Sequence, residues 1–139
     1  MLARRALPAA RLRERLRRAF DADEVERAVE RLIELQVLDD GAFAESFVRD
    51  RFERAGYGRE RIRADLAARG IAREAAEAAI ARLIDDDRER ETAIRALERF
   101  RCARERRGDP QRTREAAFRH LIGRGFGFDL VRDLLRHSL

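Results

Sequence analysis

Apolar residues recur every three or four positions along almost the whole chain, and three stretches of the pattern superpose when the sequence is slid along itself. Leu12, Leu16 and Phe20 align with Ile62, Leu66 and Ile71, and again with Ala117, Leu121 and Phe126. Downstream the offsets agree once more: Val25, Val29 and Leu32 correspond to Ala76, Ile80 and Leu83, then to Val131 and Leu135. Each stretch therefore reads as a helix, a short turn and a second helix. A further helix precedes each pair, at Leu2 to Leu7, Phe43 to Ala55 and Thr92 to Arg107. The pattern predicts an all-α protein of three tandem three-helix repeats, residues 1–38, 39–86 and 87–139, stacked into an elongated, curved body. Strands are not expected, because the β-branched residues are scattered among Ala, Arg, Glu and Leu. Glycines at 41, 56, 58, 70, 108, 123, 125 and 127 break any longer coiled-coil heptad.

The densest information lies between residues 38 and 70. Leu38, Phe43, Phe47, Val48 and Phe52 form an aromatic helix face that must be buried. Asp39 and Asp40 stand before it, where a carboxylate can accept from unpaired backbone N–H groups at a helix start. Gly56 and Gly58 bracket Tyr57, the single tyrosine, at a corner that calls for positive φ. The following helix carries Ile62 and Leu66 on its apolar face and ends at Gly70. Pro8 and Pro110 mark helix first turns, with Asp109 able to cap the second. Asp21 with Glu24, and Asp23 with Glu26, have capping-box spacing. Asp85, Asp86 and Asp87 read as a solvated linker or helix start.

Composition narrows the function. The chain has 139 residues, enough for one domain or a few small repeats, and 45% are hydrophobic. No stretch approaches the roughly 20 apolar residues of a membrane span, the start lacks a signal peptide's apolar run, and Cys102 has no partner for an intramolecular disulfide. A cytoplasmic protein is expected. Charged residues make up 42%, and all 32 basic residues are arginine, part of which reflects the codon bias of a GC-rich genome. Counting Arg against Asp and Glu, the net charge is +6 over residues 1–20, −6 over 21–55, +2 over 56–70, −3 over 71–98 and +6 over 99–139. The sign alternates along the chain.

Nothing suggests catalysis. His120, His137 and Cys102 match no zinc spacing, the glycines at 123, 125 and 127 follow no strand and make no phosphate loop, and Ser46 and Ser138 have no adjacent base. No enzyme activity, metal or cofactor is expected. The arginines are the alternative. Arg11, Arg15 and Arg18 form a stripe opposite Leu12 and Leu16; Arg59 and Arg63 repeat the relation beside Tyr57; Arg114, Arg119 and Arg124 continue it in the third unit. The competing explanation is structural: 27 acidic groups are available, and pairing with them would account for about half of these arginines. The remainder suits a polyanion or an acidic groove. Sequence-specific DNA reading is disfavoured, because the would-be recognition helix after Asp21 begins more acidic than basic. The phenylalanines read as core, and Tyr57 as a corner residue or a surface stacker.

The stretches LDDGAFAESFVR and YGRERIRADLAARG resemble the signature of the RecX family, bacterial regulators of the RecA recombinase. The likeness runs from LARRAL to GRGFGFDLVRDLLR, with Arg59 where the family commonly has proline. The resemblance implies a monomeric regulator without cofactor that binds the RecA filament and DNA, single-stranded or duplex, without sequence preference. It implies inhibition of strand exchange, ATP hydrolysis and coprotease activity. The candidate contact residues are Arg11, Arg15, Arg18, Tyr57, Arg59, Arg63, Arg114, Arg119 and Arg124. The alternative from another class is a general DNA-binding helical module that acts without RecA.

Overall fold

The computed structural model describes residues 21–104 and 110–137, and every regular element among them is helical. The order is α1 (Ala22–Arg49) running into a π-helical turn (Asp50–Arg54), then α2 (Arg59–Ala68), α3 (Arg73–Leu83), α4 (Asp86–Arg104), α5 (Pro110–Gly123) and α6 (Phe128–His137). Two apolar cores organise them. In the first, Ala44, Phe47, Val48 and Phe52 from α1 and its π turn meet Ile62 and Leu66 of α2 and Ala76 and Ile80 of α3. In the second, Ala93 and Leu97 of α4 meet Ala117 and Leu121 of α5 and Val131, Leu134 and Leu135 of α6, with Phe126 at the centre. Phe47, Val48, Phe52, Ile62, Leu66, Ala76, Ile80, Ala117, Leu121, Phe126, Val131 and Leu135 are positions whose three-and-four spacing predicts burial, whereas Leu38, expected on the same buried face, is 66% exposed, and Leu32 is 47% exposed.

The aligned spacing from Leu66 to Ile71 and from Leu121 to Phe126 has a common cause. At the end of α2, Gly70 adopts φ +77°, its N–H donates to Ala67 and the N–H of Ile71 donates to Leu66. At the end of α5, Gly125 adopts φ +102°, its N–H donates to Ile122 and the N–H of Phe126 donates to Leu121. Both are Schellman caps, in which a left-handed glycine satisfies the last carbonyls and the flanking apolar pair closes over it. All four apolar residues are buried. The aligned positions of the first unit, Leu16 and Phe20, lie outside the described residues, as does Asp109.

Three local expectations are corrected. Asp39, Asp40 and Gly41 do not start a helix but lie inside the 28-residue α1. Asp40 is buried and accepts a hydrogen bond from Gln36 Nε2 one turn back at 3.2 Å, so it supports the helix from within. Glycine weakens a helix interior by about 1 kcal/mol without removing a backbone hydrogen bond, and the packing of Ala44, Phe47 and Val48 on α3 outweighs that. Second, Asp21 precedes α1 but makes no side-chain capping bond, so its capping box does not form. Third, the long helix predicted from Thr92 begins six residues earlier, at Asp86. Asp85 Oδ1 accepts the N–H of Arg88 at 2.7 Å, which makes the acidic run a helix start.

A side chain at position 41 would meet nothing within 4 Å, and φ there is not positive. Gly41→Ala should therefore stabilise the protein by about 0.5–1 kcal/mol, read as a higher urea midpoint with unchanged slope. A lower midpoint would mean that α1 is not continuous through this point.

Candidate functional site

The first core and the second are joined at the Gly-Tyr-Gly corner. Gly56 carries the positive φ (+72°) that ends the π turn, whereas Gly58 has an ordinary φ of −81° and is required for a different reason. A Cβ at Gly58 would lie 2.5 Å from the backbone of Gly125 and 2.7 Å from the Phe126 ring. The chain crosses itself there at backbone contact distance. Gly58 N–H donates to the carbonyl of Arg124 and Glu60 N–H to that of Gly125, each at 2.9 Å. Between them, Arg59 N–H donates to Glu89 Oε2 at 2.8 Å. The first N–H groups of α2 have no partner in their own helix, and Gly58 offers no side chain to cap them. The third unit supplies their acceptors. This also accounts for the burial of Glu89, a carboxylate set at the positive end of a helix.

The candidate arginines divide sharply. Arg59 is mostly buried: its guanidinium donates to Asp86 Oδ1 at 3.1 Å and to the Ile84 carbonyl at 3.2 Å, and its Nε lies 3.5 Å from Glu89 Oε1. Arg63 grips Glu77 with two bonds, at 2.6 and 3.0 Å, and Glu60 with a third at 2.6 Å. Those bonds raise the pKa of Arg63 and hold the Glu77 carboxyl below its usual range. Arg59 and Arg63 thus tie α2 to α3 and α4. Tyr57 is half-buried against the first core, with the guanidinium carbons of Arg61 and Arg124 at 4.0 and 4.7 Å from its ring centre. Arg124 also donates to the Ala55 carbonyl, and Arg61 to that of Gly123 at 3.3 Å.

Tyr57, Arg59 and Arg124 are therefore brought together at the junction, with Arg63 one turn along α2. Arg114 and Arg119 stand apart on α5, exposed and in no ion pair among the described residues. Arg11, Arg15 and Arg18 lie outside the described residues. Elsewhere around the first core, pairing is the rule: Arg54 with Asp50, Arg82 with Glu45, and Arg88 at the start of α4 with Glu53. In the third unit Arg95, Arg99, Arg132 and Arg136 are exposed and without such pairs among the described residues. Sequence reasoning missed Glu89, Arg61 and the partnership of Gly58 with Gly125. The only available signal was the recurrence of glycine pairs in GYG and GRGFG. Among the described residues no cluster of His, Cys, Asp and Glu could hold a metal ion, and no helix is long and apolar enough to cross a membrane.

Comparison with known proteins places this geometry. The pattern described as the second three-helix domain of RecX matches residues 39–80. The regulatory protein RecX of Pseudomonas putida is 37% identical over 136 residues, covering 97% of this chain and 84% of that protein. That of Thermus thermophilus is also 37% identical, covering 98% and 85%. RecX of Clostridium botulinum is 27% identical over 123 residues, and this chain spans only 57% of its length. The crystal structure of RecX from Lactobacillus salivarius superposes with a TM-score of 0.67 at 22% identity, over 92% of this chain and 82% of that one. A second crystal structure of regulatory protein RecX gives 0.65 at 21%, over 94% and 63%. At such identities the structures establish a common fold.

Two outcomes test the junction. Gly58→Ala should cost about 2–3 kcal/mol, because the clash is with backbone. Gly70→Ala, with nothing within 4 Å of the added carbon, should cost only the left-handed strain of about 1–2 kcal/mol. Equal urea midpoints would sink the close-approach argument. For Glu77, a folded pKa below the unfolded value of about 4.3 means stabilisation that is complete above that pH and is lost as pH falls through the folded value. Glu77→Gln should flatten the acid limb of stability below about pH 4.5; an unchanged limb would mean the Arg63 pair contributes nothing.

Proposed function

The chain belongs to the RecX family of regulatory proteins, and on that premise we propose that it is a negative regulator of RecA. It binds the RecA–DNA filament and inhibits strand exchange, ATP hydrolysis and coprotease activity, as a cytoplasmic monomer that needs no cofactor and performs no chemistry itself. The observation that carries the reading is the 37% identity over most of the length of two RecX proteins. The unit division at residues 1–38, 39–86 and 87–139 is part of the proposal, each unit offering one basic middle helix to the filament.

The way charge is distributed supports a refinement of the contact residues. Arg59 and Arg63 are engaged by carboxylates, so their role in contact is indirect: they hold α2 in place. Arg114 and Arg119 are exposed and without ion pairs among the described residues, so they are available to phosphate oxygens or to acidic side chains. Arg124 has a shared role, because it also anchors Tyr57. Arg11, Arg15 and Arg18 remain candidates by their stripe.

One feature favours the second reading, a DNA-binding module that acts without RecA. Phe128 is largely exposed and lies 5.8 Å, centre to centre, from Phe118. A shallow depression beside Phe118 is flanked by Arg114, Arg132 and Arg136. Aromatic rings next to cations suit single-stranded nucleic acid, where bases stack and phosphates pair.

The readings separate in one experiment. RecA ATPase and filament length are followed with substoichiometric protein, alongside affinity for bare oligonucleotides across salt. Inhibition at few copies per filament, with bare-DNA binding far weaker, supports the RecA reading; inhibition that merely tracks bare-DNA affinity supports the module. Arg114→Ala with Arg119→Ala should leave the unfolding free energy within about 0.5 kcal/mol and reduce inhibition severalfold. If DNA phosphates are the contact, the salt slope of binding should fall by about one unit per arginine.

A further inference from the structure

A cleft of about 110 Å³ opens between the π-helical end of α1 and the α4–α5 pair, lined by Arg54, Arg95, Arg99, Arg124 and His120 and by one acid, Glu53. The two acids that could neutralise it are occupied. Asp50 holds Arg54 through two bonds, at 2.6 and 3.3 Å, and Glu53 lies 3.2 Å from Arg88. Arg95, Arg99 and Arg124 have no carboxylate partner among the described residues. Arg95 gives one N–H to Thr92 Oγ1 at 3.2 Å and Arg124 gives one to the Ala55 carbonyl, so both retain further donors. Three like charges around one small volume repel each other, and an anion between them reverses the sign of the interaction.

We propose that this cleft binds a phosphate group, held by the guanidinium groups of Arg95, Arg99 and Arg124 where the second and third units meet. Guanidinium forks match the spacing of phosphate oxygens. The volume is sufficient for a tetrahedral oxyanion and well below the roughly 300 Å³ at which pockets for drug-sized ligands begin. A phosphate is therefore read without its base, which makes recognition indifferent to sequence. The same phosphate chemistry is offered by a polynucleotide backbone and by a free or terminal phosphate.

His120 provides a reporter. Its ring stacks on Phe100 at 4.8 Å, and burial, then Arg124 and Arg104, hold its pKa below the usual histidine value. A dianion beside it favours the imidazolium and should move that pKa back up. His137, on the exposed end of α6 beside Asp133, serves as the internal control.

The test needs neither RecA nor the proposed regulatory activity, so its failure is distinguishable from failure of that reading. The folded protein is titrated with inorganic phosphate against chloride at constant ionic strength, and the ring resonances of both histidines are followed by NMR. Expected is a saturable shift and a raised pKa at His120 but not at His137. Arg95→Gln with Arg99→Gln, which breaks no ion pair among the described residues, should weaken the response about tenfold or more, equivalent to about 1.4 kcal/mol. A shift that does not saturate, or that is the same in parent and variant, would be general screening and overturn the site. In a second arm, displacement of phosphate by oligothymidylate assigns the ligand to a polynucleotide backbone. Displacement only by a nucleoside monophosphate assigns it to a terminal phosphate.

Discussion

The joint between the two apolar cores rests on hydrogen bonds that a helix cannot make for itself. The first N–H groups of α2 point out of the helix end without internal acceptors, and a buried donor left unpaired costs about 1–3 kcal/mol. Here Arg124, Glu89 and Gly125 provide the acceptors, all from the third unit. That is possible only because neither Gly58 nor Gly125 has a Cβ to hold the strands apart. Arg59, unlike a proline, presents a backbone N–H, and Glu89 accepts it.

Once that contact exists, the charges around it fall into order. Arg59 reaches Glu89 and Asp86, while Arg61 and Arg124 approach Tyr57 from α2 and from the end of α5. The arginines of the second unit are thereby mostly drawn into the fold, and those of α4, α5 and α6 are mostly left outside it. The positive excess that residues 99–139 carry in the sequence is thereby left at the surface rather than consumed by the fold. The uncompensated cations of the described residues collect on the third unit, which is where contact with polyanions is concentrated in the proposals above.

Much of this was legible from spacing alone. Ile62, Leu66 and Ile71, and their counterparts Ala117, Leu121 and Phe126, were identifiable as core because helical periodicity and a glycine cap impose fixed intervals. Phe47 and Phe52 were readable for the same reason. The break expected at Asp39–Gly41 failed because local preference yielded to packing further along α1. Glu89 could not be recognised: its role depends on a donor thirty residues earlier, and in the sequence it is one acid in an acidic run. Nor could spacing separate Arg63, whose partner Glu77 lies across a turn, from Arg114, which has none among the described residues; both read as exposed basic positions.

The two joints of the chain also differ in mechanical kind. Ala22–Arg49 is one unbroken rod, so whatever packs on Val25 and Val29 turns rigidly with whatever packs on Ala44 and Val48. The other joint contains no shared helix and is held by polar contacts together with the rings of Tyr57 and Phe126. Among the described residues, a turn of one core relative to the other would therefore have to pass through the contacts of Gly58 and Gly125, while α1 acts as a lever arm upstream.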